Sequence, residues 1–455
     1  MASHHKLMMV RLYSPPPMPQ ALLLRCLFLQ LVVLVVLISS EAFYCHGFSS
    51  SVTTKNHLNT VPTSTAAPLS STTSNNTTTT TTNNILILDH INLNHERGRH
   101  DLVHGFYGSA ESGGFLQCVD DPRKASNIAV GRKTLWSNIG LQQFHLPEGT
   151  PHAQQLQGCI TLVYPSLRPL LERYHTIRQQ QPEGSGGTNT PMTTNTTCLQ
   201  HSQFHVQEDP VKTSSSSSAA LLVVDPWGTR FRIEAEEDNA ERDRRGVQPG
   251  GRSEGVGIRD ITLHVPFQAN LAGIGRFYRD VLGAELVLTT DQENAEHHTK
   301  RIQIRMGPYQ TLTFLPHPDS TIATHVDLRP PAPSSSSLED DNDDAIEETT
   351  PELENYGIHL SLYVADFVAC YERAAQFHVT YVNTRFSRRA YTLDEAKAQC
   401  MFRCLNIVDP LHIEDGPIVQ LEHEIRSVVN PDGTKYKSCP FDEIPQECIV
   451  GNTVE

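Results

Sequence analysis

Ile258-Arg-Asp-Ile-Thr-Leu-His-Val265, running on through Leu271-Ala-Gly-Ile-Gly-Arg-Phe-Tyr-Arg-Asp-Val-Leu-Gly283, is the stretch whose reading decides the fold. Its first half alternates apolar and polar residues with period two, as a half-buried strand does. Its second half places Leu271, Ile274, Phe277, Tyr278 and Val281 at helical spacing and closes on Gly283, where a helix C-cap is expected. The phrase recurs along the chain. Leu88-Asp-His-Ile-Asn-Leu-Asn-His95 leads to Phe106-Tyr107-Gly108. Cys159-Ile-Thr-Leu-Val-Tyr164 leads to Leu167 through Tyr174, and His359-Leu-Ser-Leu-Tyr-Val364 leads to Phe367 through Ala374. Further strands follow each helix, as in Trp136 to Leu146 and Arg301 to Leu315. Asp225-Pro226-Trp227-Gly228 and Asp409-Pro410 are turn signals ahead of the alternating runs Phe231 to Ala235 and Ile418 to Glu422. A β-α-β-β-β unit repeated four times therefore predicts an α+β fold in tandem domains.

The four phrases, in this order, resemble the glyoxalase, bleomycin-resistance and extradiol-dioxygenase superfamily, the vicinal oxygen chelate proteins. The resemblance implies two tandem domains, residues 85–237 and 256–430, each of two βαβββ units folding an open curved sheet around a cleft. In this division residues 1–42 are a signal peptide or signal anchor, 43–84 a Ser/Thr/Asn-rich transit-like or disordered segment, 238–255 a linker and 431–455 a C-terminal tail. Two insertions read as disordered: 181–218 in the first domain and the acidic 330–354 in the second, which carries Leu338-Glu-Asp-Asp-Asn-Asp-Asp-Ala-Ile-Glu-Glu348.

The net charge of −15 argues against a nucleic-acid partner, which would require a basic face. Residues 21–38 are apolar, but their uncharged core, Cys26 to Ile38, is shorter than the ~20 residues that span a bilayer. With upstream Lys6, Arg11 and Arg25 and the small residues Ser39, Ser40 and Ala42, it reads as a secretory signal, with an uncleaved anchor as the alternative. Contact with a membrane is expected only through this segment. Residues 43–84 contain no Asp or Glu, a transit-peptide composition, and Ser40-Glu41-Ala42-Phe43 resembles the signal/transit junction of algae with secondary plastids. Entry to the secretory route is expected, with the plastid, secretion or membrane anchoring as destinations. Ten cysteines in 455 residues do not make a disulfide scaffold.

The resemblance implies a metal whose ligands come from the first and last strands of the units. Those positions are His90 and Cys159 in the first domain, Asp260 and His359 in the second. Last-strand positions are Arg232 and Gln420, with Glu422 on the same face as Gln420, and Gln143 or His145 in the first unit. Imidazoles with a carboxylate suit a divalent metal, Fe, Zn, Ni or Mn. The guanidinium of Arg232 repels a cation, so a metal is expected in the second domain on His359, Asp260, Gln420 and Glu422, with His90 a further candidate. Arg232, Gln143 and His145 are candidate ligand-binding residues for a small anionic molecule. The implied functions are a metal-dependent lyase, isomerase or dioxygenase acting on a small oxygenated molecule, or a metal-free small-molecule binder of the bleomycin-resistance type. The sequence leaves both open. It holds no Ser-His-Asp order, phosphate loop or dinucleotide fingerprint.

Overall fold

The computed structural model describes residues 83–121, 134–149, 153–179, 197–209, 220–236, 252–288, 300–319, 358–384 and 386–450. The segment 1–42, nearly all of 43–84 and the acidic insertion 330–354 lie outside the described residues. Among the described residues, no helix is long and apolar enough to cross a membrane.

Four βαβββ units follow one another. The first comprises β1 (Ile85–Asn92), α1 (His100–Tyr107), β2 (Val119–Asp120), β3 (Thr134–Ile139) and β4 (Gln142–Pro147). The second comprises β5 (Gly158–Tyr164), α2 (Arg168–Gln179), β6 (His205–Glu208), β7 (Ala220–Val224) and β8 (Arg230–Ala235). The third comprises β9 (Gly257–Pro266), α3 (Leu271–Arg276) prolonged by a π turn to Val281, β10 (Leu286–Leu288), β11 (Ile302–Gly307) and β12 (Gln310–His317). The fourth comprises β13 (His359–Val364), α4 (Phe367–Gln376), β14 (Thr380–Tyr381), α5 (Leu393–Gln399), β15 (Met401–Val408) and β16 (Pro417–Ser427), before a short α6 (Glu447–Val450).

Local chemistry explains the boundaries. The Asn270 side chain caps α3 by accepting from the Gly273 amide, and Asp366 caps α4 through Ala369. Thr392 and Glu395 close a reciprocal capping box on α5. Gly283 sits at φ +74, the left-handed turn expected after the third helix, and a Cβ there would meet the Asn84 side chain at 2.8 Å. Both Asp-Pro turns are built as read. Asp225 Oδ1 accepts from the Trp227 and Thr229 amides, and Asp409 Oδ1 from the Leu411 amide.

The units assemble differently from the consecutive pairing expected. One eight-stranded sheet runs β14-β15-β16-β13-β1-β4-β3-β2, the other β10-β11-β12-β9-β5-β8-β7-β6. Strand β1 pairs antiparallel with β13, and β5 with β9. The first unit therefore shares a sheet with the fourth, and the second with the third. The divisions 85–237 and 256–430 each span half of both sheets. All four units carry the same strand-helix pattern, so local periodicity does not say which first strands meet. Residues just before β1 tie the closure together. The Asn84 amide donates to Gly283 O, its carbonyl accepts from Ala365 N, and its Oδ1 accepts from Asp366 N at 2.8 Å.

Much of the expected insertion 181–218 lies outside the described residues. A 3-10 turn at Thr197–His201 and strand β6 lie within it, anchored by buried Leu199 and Val206. Leu199 and Val206 join the main apolar core, alongside Phe106, Phe115, Phe144 and Phe231. The tail 431–455 also packs: Tyr436 and Cys448 are buried against Ile87, Tyr363, Cys400 and Val428.

Candidate metal centre

The first sheet brings three imidazoles together. His90 on β1, His145 on β4 and His359 on β13 are buried, and each offers a ligand atom within 4.8 Å of the others. Strand register explains the convergence. Asn92 lies opposite His359, and His90 opposite Ser361, across the antiparallel β1–β13 pair. Across the parallel β1–β4 pair, Asn92 lies beside His145. With period-two alternation, His90, Asn92, His145 and His359 then share one face.

His90 Nε2 and His359 Nε2 stand 3.4 Å apart. A tetrahedral metal with Zn–N-like bonds of about 2.05 Å would set its ligand atoms about 3.4 Å apart, so this pair already spans such an edge. His90 Nδ1 is 2.8 Å from Asp89 Oδ2. A carboxylate there accepts a ring N–H, which leaves Nε2 with the lone pair, the arrangement common behind metal-bound histidine. Burial pushes the His90 pKa below its ordinary value, against the pull of Asp89, so the ring is neutral and ready to ligate. The His145 ring stacks on His90 with centroids 3.5 Å apart and lies against Trp136 at 3.8 Å. Gln143 Nε2 donates to Asn138 Oδ1 and Asp121 Oδ2, which turns Gln143 Oε1 towards His145 Nε2. That contact protonates Nε2 and makes Nδ1 the lone-pair nitrogen of His145.

Behind the imidazoles lies a buried ionic lattice. Arg403 joins Glu422 and Glu424, and Arg426 joins Glu424 and Asp89. Burial alone would raise the Glu424 pKa, but Arg426 and Arg403 hold it well below the carboxylate range. Glu424 Oε2 is 4.0 Å from His359 Nε2. Burial raises the Glu422 pKa, although Arg403 and Asn383 both bond it.

The other candidate residues fall in several places. His359 and His90 do not belong to rival sites; they face each other. Asp260 lies in the other sheet, where Thr262, Thr311 and Thr313 donate to its carboxylate at 2.6, 2.5 and 2.8 Å. Gln420 donates to Asn406 Oδ1 instead of joining the cluster. Glu422, beside His359 in the parallel β13–β16 pair, bonds Arg403 and Asn383. Arg232 is bound by Asp209 and Glu234, the ion-paired arrangement of a structural residue. Gln143 orients His145, as described. Sequence reasoning passed over Asp89, Arg403 and Arg426. The alternating run Glu422-His-Glu-Ile-Arg426 was the one signal for a charged inner face. Arg403 had none, because its partners lie on the next strand and meet it only once β15 and β16 pair.

Two of the solved structures similar to this chain carry related names. A glyoxalase I variant from Zea mays shares 11% identity, covering 75% of this chain and 93% of that one, with a TM-score of 0.38. A 2,3-dioxygenase from Pseudomonas sp. KL28 shares 12%, covering 78% and 97%, with a TM-score of 0.23. No protein-family model matches the chain, and no curated protein does.

Proposed function

We propose that this chain is a metal-dependent enzyme of the glyoxalase or dioxygenase kind, acting on a small oxygenated molecule in the cleft of the first sheet. The observation that carries the reading is the 3.4 Å between His90 Nε2 and His359 Nε2, contributed by residues 269 positions apart in the sequence. His90, His145 and His359 would hold the ion through nitrogen, a donor set that suits Fe, Zn or Ni better than Mn. A divalent cation on neutral ligands keeps its full charge and can polarise a carbonyl or a pair of vicinal oxygens. Asp89 holds the His90 ring in its lone-pair tautomer, and Gln143 does the same for His145. Arg403 and Arg426 neutralise Glu422, Glu424 and Asp89, so the carboxylates order the pocket without sealing the ion inside. Ser361, directly opposite His90, keeps a buried hydroxyl with no partner and stands where it can hydrogen-bond a substrate oxygen.

The test is metal content of the purified full chain after reconstitution, set beside turnover of small carbonyl and vicinal-diol compounds. The equivalent held by these histidines should be lost in both His90→Ala and His359→Ala and kept in Cys159→Ala and Asp260→Asn. A chain that takes up no Fe, Zn, Ni or Mn would return the metal-free binder.

A further inference from the structure

We propose a second metal site, for zinc, on the helix side of the first unit, formed by His95, His100, His104 and Asp120. It does not rest on the proposed enzyme site.

Four buried side-chain atoms without any hydrogen-bond partner belong to these residues: His95 Nε2, His100 Nδ1, His104 Nδ1 and Asp120 Oδ1. A buried polar atom left unpaired is costly, and four from one neighbourhood call for a common partner. His95 is 1% exposed. Its Nδ1 lies 2.9 Å from Leu146 O, so that nitrogen carries the proton and Nε2 carries the lone pair. The rings of His95 and His100 stand 5.0 Å apart, edge to face. His100 and His104 are four residues apart on α1, which puts both imidazoles on one helix face, the spacing that lets two histidines bracket a zinc ion. Asp120 on β2 and His100 both act on the His104 charge, which places the three within one another's field.

In the metal-free fold these donor atoms do not converge as those of the three-histidine centre do, so binding would draw the His100 and His104 rings and the Asp120 carboxyl inward onto the ion. Three imidazoles and one carboxylate make a four-ligand set of the kind zinc takes in tetrahedral sites. His95 comes from the chain just past β1, His100 and His104 from α1, and Asp120 from β2. One ion would therefore join the helix to the end of β1 and to β2. Such a site, with all four ligands from protein, is structural, in contrast to the three-histidine centre with open positions. Glu148 and Trp227 border it without being assigned as ligands: Glu148 bridges to His95, and the Trp227 ring is 6.2 Å from it.

The experiment titrates the metal-free full chain with Zn(II) against a chromophoric chelator, in wild type, His359→Gln, His104→Gln, His100→Gln and the double variants with His359→Gln. Circular dichroism checks that each variant is folded, and half-buried His100 supplies the gentler substitution. Two equivalents are expected in wild type and one in His359→Gln. That remaining equivalent should disappear in His359→Gln/His104→Gln and weaken at least 100-fold in His359→Gln/His100→Gln. Zinc should also raise the Tm of His359→Gln but not of the double variants. A single wild-type equivalent lost with His359 would overturn this site and leave the first intact. A single equivalent lost with His104 would uphold this site and refute the first. A second equivalent that survives both His100 and His104 substitutions would also overturn the assignment.

Discussion

The two sheets are built on one plan and carry opposite chemistry at the same places. In the first sheet His90 lies opposite Ser361 and Asn92 opposite His359. In the second, Asp260 lies opposite Thr161 and Cys159 opposite Thr262, the same offset on the same strands of the plan. His145 answers to Thr313, each beside its unit's first strand, and Glu424 answers to Arg232. The first sheet thus presents three buried imidazoles whose ligand atoms gather within 4.8 Å of one another. The other presents a carboxylate already bonded by three threonine hydroxyls, and a guanidinium already paired with two acids. Burial pushes the Asp260 pKa up, and the threonine hydroxyls oppose that by stabilising the anion. The comparison teaches that one strand plan can gather ligand nitrogens in one sheet and, in the other, tie a carboxylate and a guanidinium into local hydrogen bonds and ion pairs.

The largest effect expected from this difference is on stability. Arg403 is 5% exposed and holds Glu422 and Glu424. Arg403→Ala would strand two buried carboxylates and should cost about 3–5 kcal/mol in urea unfolding. Arg232→Ala in the second sheet removes a more accessible cation and should cost much less. Equal losses would break the distinction between the two ionic lattices.

Next in size is an effect on metal affinity. Asp89 orients His90, so Asp89→Asn should weaken metal binding about 10- to 100-fold while the fold persists. Asp260→Asn, at the matching position of the second sheet, should leave metal binding unchanged. Competition titration with a chelator reads both, and a shift in Asp260→Asn would show that the second cleft also takes part.

The smallest effect is on pH dependence. Burial holds His95, His264 and His423 to a pKa of about 4, well below the 6.5 of the unfolded chain. Between these values the unfolded state binds more protons, so stability is lost as pH falls from about 6.5 towards 4. Asp225, pushed up to about 6 by burial, binds its proton in the native state and acts in the opposite sense. His90 and His104 are likewise lowered, while Asp120, Asp260 and Glu422 are raised like Asp225, so five histidines oppose four carboxyls and the Tm of metal-free protein should fall by a few degrees from pH 7 to 4.5. His264→Gln in the second sheet should flatten that slope by one proton, and an unchanged slope would remove the second sheet's share.

Much of this was legible in the residues. Alternation marked β1, β9 and β13, and helical spacing with Gly283 marked α3 and its end. Asp225-Pro226 and Asp409-Pro410 marked the turns. His90, His145 and His359 were all named as candidates, because each stands at the start or end of a unit where a cleft would be. Their assembly was not legible. The pairing placed His90 with Cys159 and Asp260 with His359, and so divided one site between two domains. Arg403 was invisible for the same reason, since its acids lie on a strand that follows a turn and meets it only in the sheet.

The sequence by itself determined the four units, their strand and helix periods, and the few positions where ligating side chains could stand. These are local properties, carried by side-chain alternation and backbone preference over a handful of residues. The tertiary structure decided which first strands pair, and with that which histidines meet. Each unit presents a similar first-strand edge, so the choice between neighbours rests on long-range closure. Asn84 clasps Gly283, Ala365 and Asp366, and the buried lattice of Arg403 and Arg426 sits behind β1 and β13. The Asn84 contacts and the Arg426–Asp89 pair join residues roughly 200 to 340 positions apart, where no periodicity reaches.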